Sequence, residues 1–358
     1  MRMIKREKIS KKEAIRIRAT AITGSLILSG LFIFFLGHNP IDVYISMAKG
    51  AFGSVYRIKD TINIIIPLIM TSLGIMIAFK MKFWNIGGEG QILIGALFAS
   101  YVALNFDFLP KIILLPIMLL AGFVGGGLWA LIPAVLKVKF QTNETITTLM
   151  MNYIALNIVT YLQYGPWRDP QSLGFPKIAN FADNALLPKV FGIHIGWIIT
   201  IISVILVTIL INKTKVGYEI EVVGESEDTA KYSGIRVNRV IIRGLILSGG
   251  ICGIVGMMEV SGVNGTLTNH VSAGYGYTAI ITTWLSGLKP AFIIPVSTLF
   301  AGMIKGGGFI QTAYQIPQSA ADIIQSMILF FVIGSEFFIQ YKLVSKSNTQ
   351  KGEKANAS

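Results

Sequence analysis

The sequence predicts an all-α polytopic membrane protein of about ten transmembrane helices, built as two inverted pseudo-repeats with both termini in the cytoplasm. Three observations predict it. Hydrophobic residues make up 53% of the chain and charged residues only 14%; with a positive mean hydropathy, this is the composition of a chain that lives in lipid. Apolar runs recur at the length that a bilayer core of about 30 Å requires, roughly 20 residues each. The basic residues are also sorted. With the N-terminus inside, 23 of the 31 Lys/Arg fall in loops on one side and 8 on the other, a bias that marks the richer side as cytoplasmic.

The elements follow in order. Residues 1–18 form a basic cytoplasmic arm with eight Lys/Arg. The transmembrane domain covers 19–340, with candidate spans at 19–37, 61–79, 90–106, 112–136, 145–164, 195–212, 241–261, 274–288, 290–304 and 321–340. Period-two alternation is absent, which argues against a β-barrel. In the outer loop at 38–60, the stretch 47–56 reads as an interfacial helix, with Tyr44, Phe52 and Tyr56 at the headgroups. The outer loop at 165–194 carries Pro166, Pro170, Pro176 and Pro188 and reads as an irregular, rigid cap. Residues 341–358 are a polar tail, expected to be disordered.

Several function classes fall away on composition. The net charge of +13 could suggest nucleic acid, but the sidedness of the basic residues explains it and no nucleic-acid partner is expected. Cys252 is the sole cysteine, so no intrachain disulfide or thiolate zinc site can form; it reads as a small buried hydrophobe. The pattern G-x-x-x-x-G-K-[ST] is absent, and Gly306, Gly307 and Gly308 lack the following lysine and hydroxyl. The chain is therefore no ATPase, and no catalytic or metal-ligating set is apparent. His38, His194 and His270 fall at predicted outer ends, where interfacial solvation accounts for them.

Two interruptions carry the polar chemistry. The second span breaks at Asn85-Ile-Gly-Gly-Glu-Gly90, and the seventh breaks across 262–276. Paired breaks in inverted halves point to a translocation path. Asn85, Glu89, Gln91, Asn152 and Asn157 are the polar candidates near it, and Tyr153 and Trp284 could stack on a cargo or pack the core. Scattered glycines such as Gly125, Gly126 and Gly127 read as close helix packing. Glu89 has two readings. It could belong to a proton path, or it could cap unpaired amides at the start of the third span; the scarcity of other intramembrane acids favours the cap.

The cytoplasmic loop at 213–243 is long and charged, holding six Lys/Arg and five Asp/Glu. Its segment 225–233 is helix-like. Gly224 would open it, Glu225, Glu227 and Asp228 favour a helix start, and Gly234 suits a left-handed stop. Ala230 lies at its centre. Such a loop reads as a contact for a soluble partner.

Three stretches then carry a resemblance: NIGGEGQILIGAL at 85–97, NETITTLMMNYIAL at 143–156 and KTKVGYEIEVVGESEDTAKYSGI at 213–235. Together they resemble the permease subunits of bacterial ABC importers, in the branched-chain-amino-acid/monosaccharide superfamily and nearest its nucleoside members, over roughly residues 60–340. Relatives tend to carry a glycine after the proline at 290, where this chain has Ala291 and Phe292, and 278–287 is bulkier and more hydroxylated than usual. The resemblance implies separate ATPase subunits that hold ATP and Mg, with no cofactor on this chain. It also implies a second permease, identical or sister, and an extracellular binding lipoprotein. Residues 224–234 would form the coupling helix, and the cell membrane would be the location. A sugar or branched-chain amino acid is the alternative cargo, and an ion-gradient-driven carrier the alternative class.

Overall fold

The structure, a computed structural model, describes residues 2–5, 10–172, 174 and 176–344. In chain order the elements are β1 (Arg2–Lys5), α1 (Lys11–Phe35), α2 (Pro40–Phe52), α3 (Val55–Lys80), α4 (Gly88–Asn105), α5 (Lys111–Phe140), α6 (Glu144–Tyr164), β2 (Lys189–Val190), β3 (Ile193–His194), α7 (Gly196–Lys213), α8 (Lys215–Glu225), α9 (Glu227–Tyr232), α10 (Val237–Glu259), α11 (Tyr275–Leu285), α12 (Pro290–Tyr314), α13 (Gln318–Gln340) and β4 (Tyr341–Val344). The chain is overwhelmingly helical, because in lipid every backbone polar group must find its partner within the segment.

Among the described residues, seven helices are long and apolar enough to cross a membrane, or eight if the bent pair at the N-terminus is one span. Ten were expected, and the shortfall has local causes. α11 has only 11 residues; at about 1.5 Å per residue it reaches roughly half-way through a bilayer core. α4 is continuous over 18 residues, but its first turn holds Glu89 and Gln91. The first span turns by 109° between Phe35 and Pro40, so the interfacial helix begins at Pro40, earlier than 47. Its entry is fixed by Asn39, whose side chain accepts from Ile41 N–H at 3.0 Å, with Pro40 at the first helical position.

The chain divides into two compact units, residues 1–57 with 302–358 and residues 58–301. In the first, α1 packs along α13, and Ile33, Val43, Met47, Ile310, Ile316 and Ile324 form its apolar centre. The Arg57 guanidinium lies 4.2 Å over the Phe309 ring and donates to the Lys49 carbonyl at 2.8 Å. The expected polar tail begins as a strand: β4 pairs antiparallel with β1, Lys5 opposite Tyr341. Residues 345–358 lie outside the described residues.

In the second unit, α4, α5 and α10 form the packed centre. Their closeness depends on glycine. A Cβ on Gly126 would sit 2.2 Å from the Gly249 carbonyl oxygen, so the helices touch backbone to backbone, as small residues allow in membranes. Cys252 is fully buried there, as expected. The outer loop before α7 is irregular, with the β2–β3 hairpin turning through Phe191 and Gly192 at φ 57° and 82°. His194, expected to be solvated, is instead buried, and neither ring nitrogen has a hydrogen-bond partner among the described residues.

Candidate functional site

Two interrupted helices meet in the second unit. α3 ends at Lys80 and α4 starts at Gly88; α10 continues through a π-helical turn at Val260–Asn264, and α11 starts only at Tyr275. The N-termini of α4 and α11 abut so closely that a Cβ on Gly276 would lie 2.2 Å from the Glu89 nitrogen. Glu89 joins the two. Its Oε1 accepts from Gly274 N–H at 2.9 Å and its Oε2 from Gly276 N–H at 2.8 Å. Helix starts leave amides unpaired, and a carboxylate both pairs them and complements the dipole. The amides were expected at the start of the helix that carries Glu89. They belong instead to α11, 185 residues further along at Gly274.

The first break is braced from within and by α6. Asn85 is fully buried. Its Nδ2 donates to Gln91 Oε1 and Ser248 Oγ, both at 3.2 Å, and its Oδ1 accepts from Gly87 N–H at 3.0 Å and Gln91 Nε2 at 3.1 Å. Thr148 Oγ1 accepts from Ile86 N–H at 3.1 Å. Asn152 Nδ2 donates to the Ile86 carbonyl at 2.9 Å, and its Oδ1 accepts from Gly90 N–H at 2.8 Å. The break strands buried backbone groups, and these side chains satisfy them. Asn85 and Gln91 thus brace the break, and neither is among the residues lining the cavity beside it. α6 is itself held by Asn143, whose side chain accepts from Thr145 and Ile146 N–H, and by the Glu144–Lys137 ion pair at 2.8 Å.

Beside this junction lies a cavity of about 370 Å³, within the range of ligand pockets, about 300–1,000 Å³. Glu89, Asn152, Tyr153 and Asn157 all line it, as do Asn269, His270 and Tyr277. None of its lining residues is Lys or Arg. Tyr277 is oriented by Asn152, whose Nδ2 lies 3.4 Å from its hydroxyl. Asn269 and Tyr277 were not singled out from sequence, and His270 was read only as an interfacially solvated residue; the polar and aromatic density just after the second break was the available signal. Trp284 is elsewhere. It packs on Trp84 and Phe79, with centroids 5.3 and 5.7 Å apart, because α11 carries it away from the cavity towards the end of α3.

The charged loop is two helices, not one. α8 ends at Glu225, and α9 is capped by Ser226, whose Oγ accepts from Thr229 N–H at 3.2 Å. Gly224 therefore closes α8 rather than opening the segment. A Cβ there would lie 1.8 Å from the Lys80 carbonyl oxygen, so Gly224 is a contact point with the end of α3. Glu225 belongs to that junction, its carbonyl accepting from Lys82 Nζ at 3.1 Å. Glu227 and Asp228 do occupy the first turn of α9. Gly234, at φ 75°, ends it in a Schellman motif, with Gly234 N–H to Lys231 O and Ile235 N–H to Ala230 O. Ala230 is fully buried, so it seats α9 on its own chain and is not offered to a partner. Tyr232, by contrast, is 94% exposed.

Two helix starts that meet beside a polar cavity, with seven or eight apolar spans among the described residues, are the features of a multi-pass membrane protein with an interrupted core. The chain belongs to the family described as the permease component of branched-chain amino acid transport systems, whose model matches residues 57–333. It is 31% identical to a glucose ABC transporter permease of Haloferax volcanii, over 90% of this chain and 88% of that one. It is 30% identical to a guanosine ABC transporter permease of Bacillus subtilis, over 91% and 95%. To a nucleoside ABC transporter permease of Lactococcus lactis it is 29% identical, over 97% and 100%. No solved structure matches it. As an ABC permease it is a multi-pass membrane protein, and permeases of this family act with ATPase subunits and a substrate-binding protein.

Proposed function

We propose that this chain is the membrane-spanning permease of an ATP-driven nucleoside importer. The observation that carries the reading is the cavity lining: two tyrosines, three asparagines and a histidine, with no cation. A nucleoside offers a π-face and several neutral hydrogen-bond groups, and these side chains complement them. A free amino acid brings a carboxylate, for which the cavity holds no Lys or Arg partner. The sister reading, a sugar importer, draws on the glucose permease of Haloferax volcanii and fits the same cation-free, polar lining.

In this reading α9 docks on a separate ATPase that holds ATP and Mg. Its movement passes through Gly224 to the end of α3 and so to the braced break and the Glu89 junction. A second permease, identical or sister, completes the pore; an extracellular binding lipoprotein delivers the cargo; and both termini and α8–α9 face the cytoplasm. In this reading Glu89 serves as a cap rather than a proton-coupling group, supported by the backbone amides that hold both its oxygens.

The test is uptake of labelled guanosine and uridine into proteoliposomes holding the full complex. Expected is ATP-dependent accumulation that excess nucleoside competes away and glucose or leucine does not. Competition by glucose alone would favour the sugar reading, and accumulation without ATP would defeat the ABC reading.

A further inference from the structure

The surface of the second unit carries a cationic groove whose arginines the transport reading does not use. It is a cavity of about 430 Å³ between the start of α8, the turn Ser233–Ile235 that closes α9 and the start of α10, and Lys215, Arg236, Arg239 and Arg243 line it. One acid lines it too, Glu219, which is already engaged by Lys215 at 4.0 Å. Among the described residues, no carboxylate lies within ion-pair distance of the three arginines. The arrangement is costly as it stands. Arg236 is the N-cap residue of α10, and Arg239 and Arg243 follow it at spacings of three and four, at the positive end of the dipole and without a side-chain cap. An anion in the groove offsets both the mutual repulsion and the dipole.

The depth of the groove says which anion. α7 is an apolar helix whose outer face exposes Ile201, Ile205, Leu206 and Ile209. It ends at Lys213, two residues before Lys215. On the other wall, the uncharged run of α10 starts at Gly244, directly after Arg243. All four cations therefore sit within about two helical turns of the ends of apolar spans, the depth of lipid headgroups. Tyr218, exposed at the rim, is a residue type favoured at that depth. α9 itself lies beside the groove, its cap residues Ser233 and Gly234 lining one end, while its exposed Tyr232 is not among the lining residues.

We infer that this groove is a binding site for the phosphodiester headgroup of an anionic phospholipid, its acyl chains lying along the exposed apolar face of α7. The test uses the full-length purified chain and compares phosphatidylglycerol, phosphatidylcholine of the same acyl chains and inorganic phosphate. Affinity is read by native mass spectrometry, and protection of the amides of 236–243 by hydrogen exchange. Phosphatidylglycerol is expected to bind more tightly than phosphatidylcholine and to protect those amides. Substitution of Arg236→Gln, Arg239→Gln and Arg243→Gln together is expected to weaken phosphatidylglycerol by about a hundredfold, roughly fivefold per cation, and to leave phosphatidylcholine unchanged. The exchange measurement needs only the unaltered protein, so it stands even if the triple variant fails to fold. Equal protection by both lipids overturns the inference. So does protection by free phosphate with no lipid preference, or protection that appears only when the ATPase subunit is added.

Discussion

Substituting Glu89→Gln probes the junction of the two half-helices directly. The wild-type carboxylate accepts two backbone N–H bonds, at 2.9 and 2.8 Å. Glutamine keeps one acceptor oxygen and turns an NH2 towards the other amide, so one bond is lost and one N–H is left facing a donor. A hydrogen bond to a charged group is worth about 1.5–3 kcal/mol, and a tenfold change in equilibrium is about 1.4 kcal/mol. Exchange at the Gly274 or Gly276 amide should therefore quicken by roughly 10- to 100-fold, while the amides of α5 stay protected. Uptake should fall modestly and keep its requirement for ATP at every pH. Unchanged protection at both glycines would refute the cap. Loss of accumulation with preserved exchange of cargo would refute the ABC reading as well, because that is the signature of a missing proton-coupling group.

Gly224→Ala places a methyl 1.8 Å from the Lys80 carbonyl; at an overpacking cost of about 1–3 kcal/mol, transport should uncouple from ATP hydrolysis while the chain still inserts, as read by uptake against ATPase rate in the reconstituted complex. Tyr277→Phe should raise the apparent KM for nucleoside with little change in melting temperature, whereas equal KM would remove Tyr277 from the site. In a Cys252→Ala background, a cysteine at Gln171 should react with an impermeant thiol reagent on intact cells and one at Asp228 only on opened cells, and the reverse pattern would invert the topology. Burial pushes the His194 imidazole down to about 4, with Lys189 adding to the effect. The unfolded chain then binds the extra proton first, so stability should be full above about pH 6.5 and fall as pH drops towards 4; a His194→Phe chain should melt with a flatter acid profile.

Local rules were legible in the sequence. Gly234 was readable as a left-handed stop because glycine adopts that backbone at little cost, and the acids of 227 and 228 marked a helix start. The two breaks were legible as glycine and polar runs inside apolar stretches. What stayed hidden was contact at distance. Glycine reads alike whether it turns the chain or lets another backbone approach, so Gly224 was taken for a helix start when it is a close-approach point. Asn85 and Gln91 look like path residues in sequence, and only the fold reveals that each answers the other across the break. The partners of Glu89 lie far along the chain, and no periodicity links them. The apolar run at 274–288 was already short for a span and placed the start of α11 to within one residue, but it did not record that the helix ends at Leu285.

The junction at Glu89 also sets an electrical property. One negative carboxylate lies between two helix starts, each equivalent to about half a positive charge, so the three nearly cancel. Moving a whole charge through the transmembrane field involves about 2.3 kcal/mol per 100 mV. With the uncharged nucleoside proposed as cargo, passage of a junction with almost no net charge involves nearly none. Membrane voltage then gains no grip on the cargo step, and import should proceed at the same rate in polarised and depolarised cells so long as ATP is held constant.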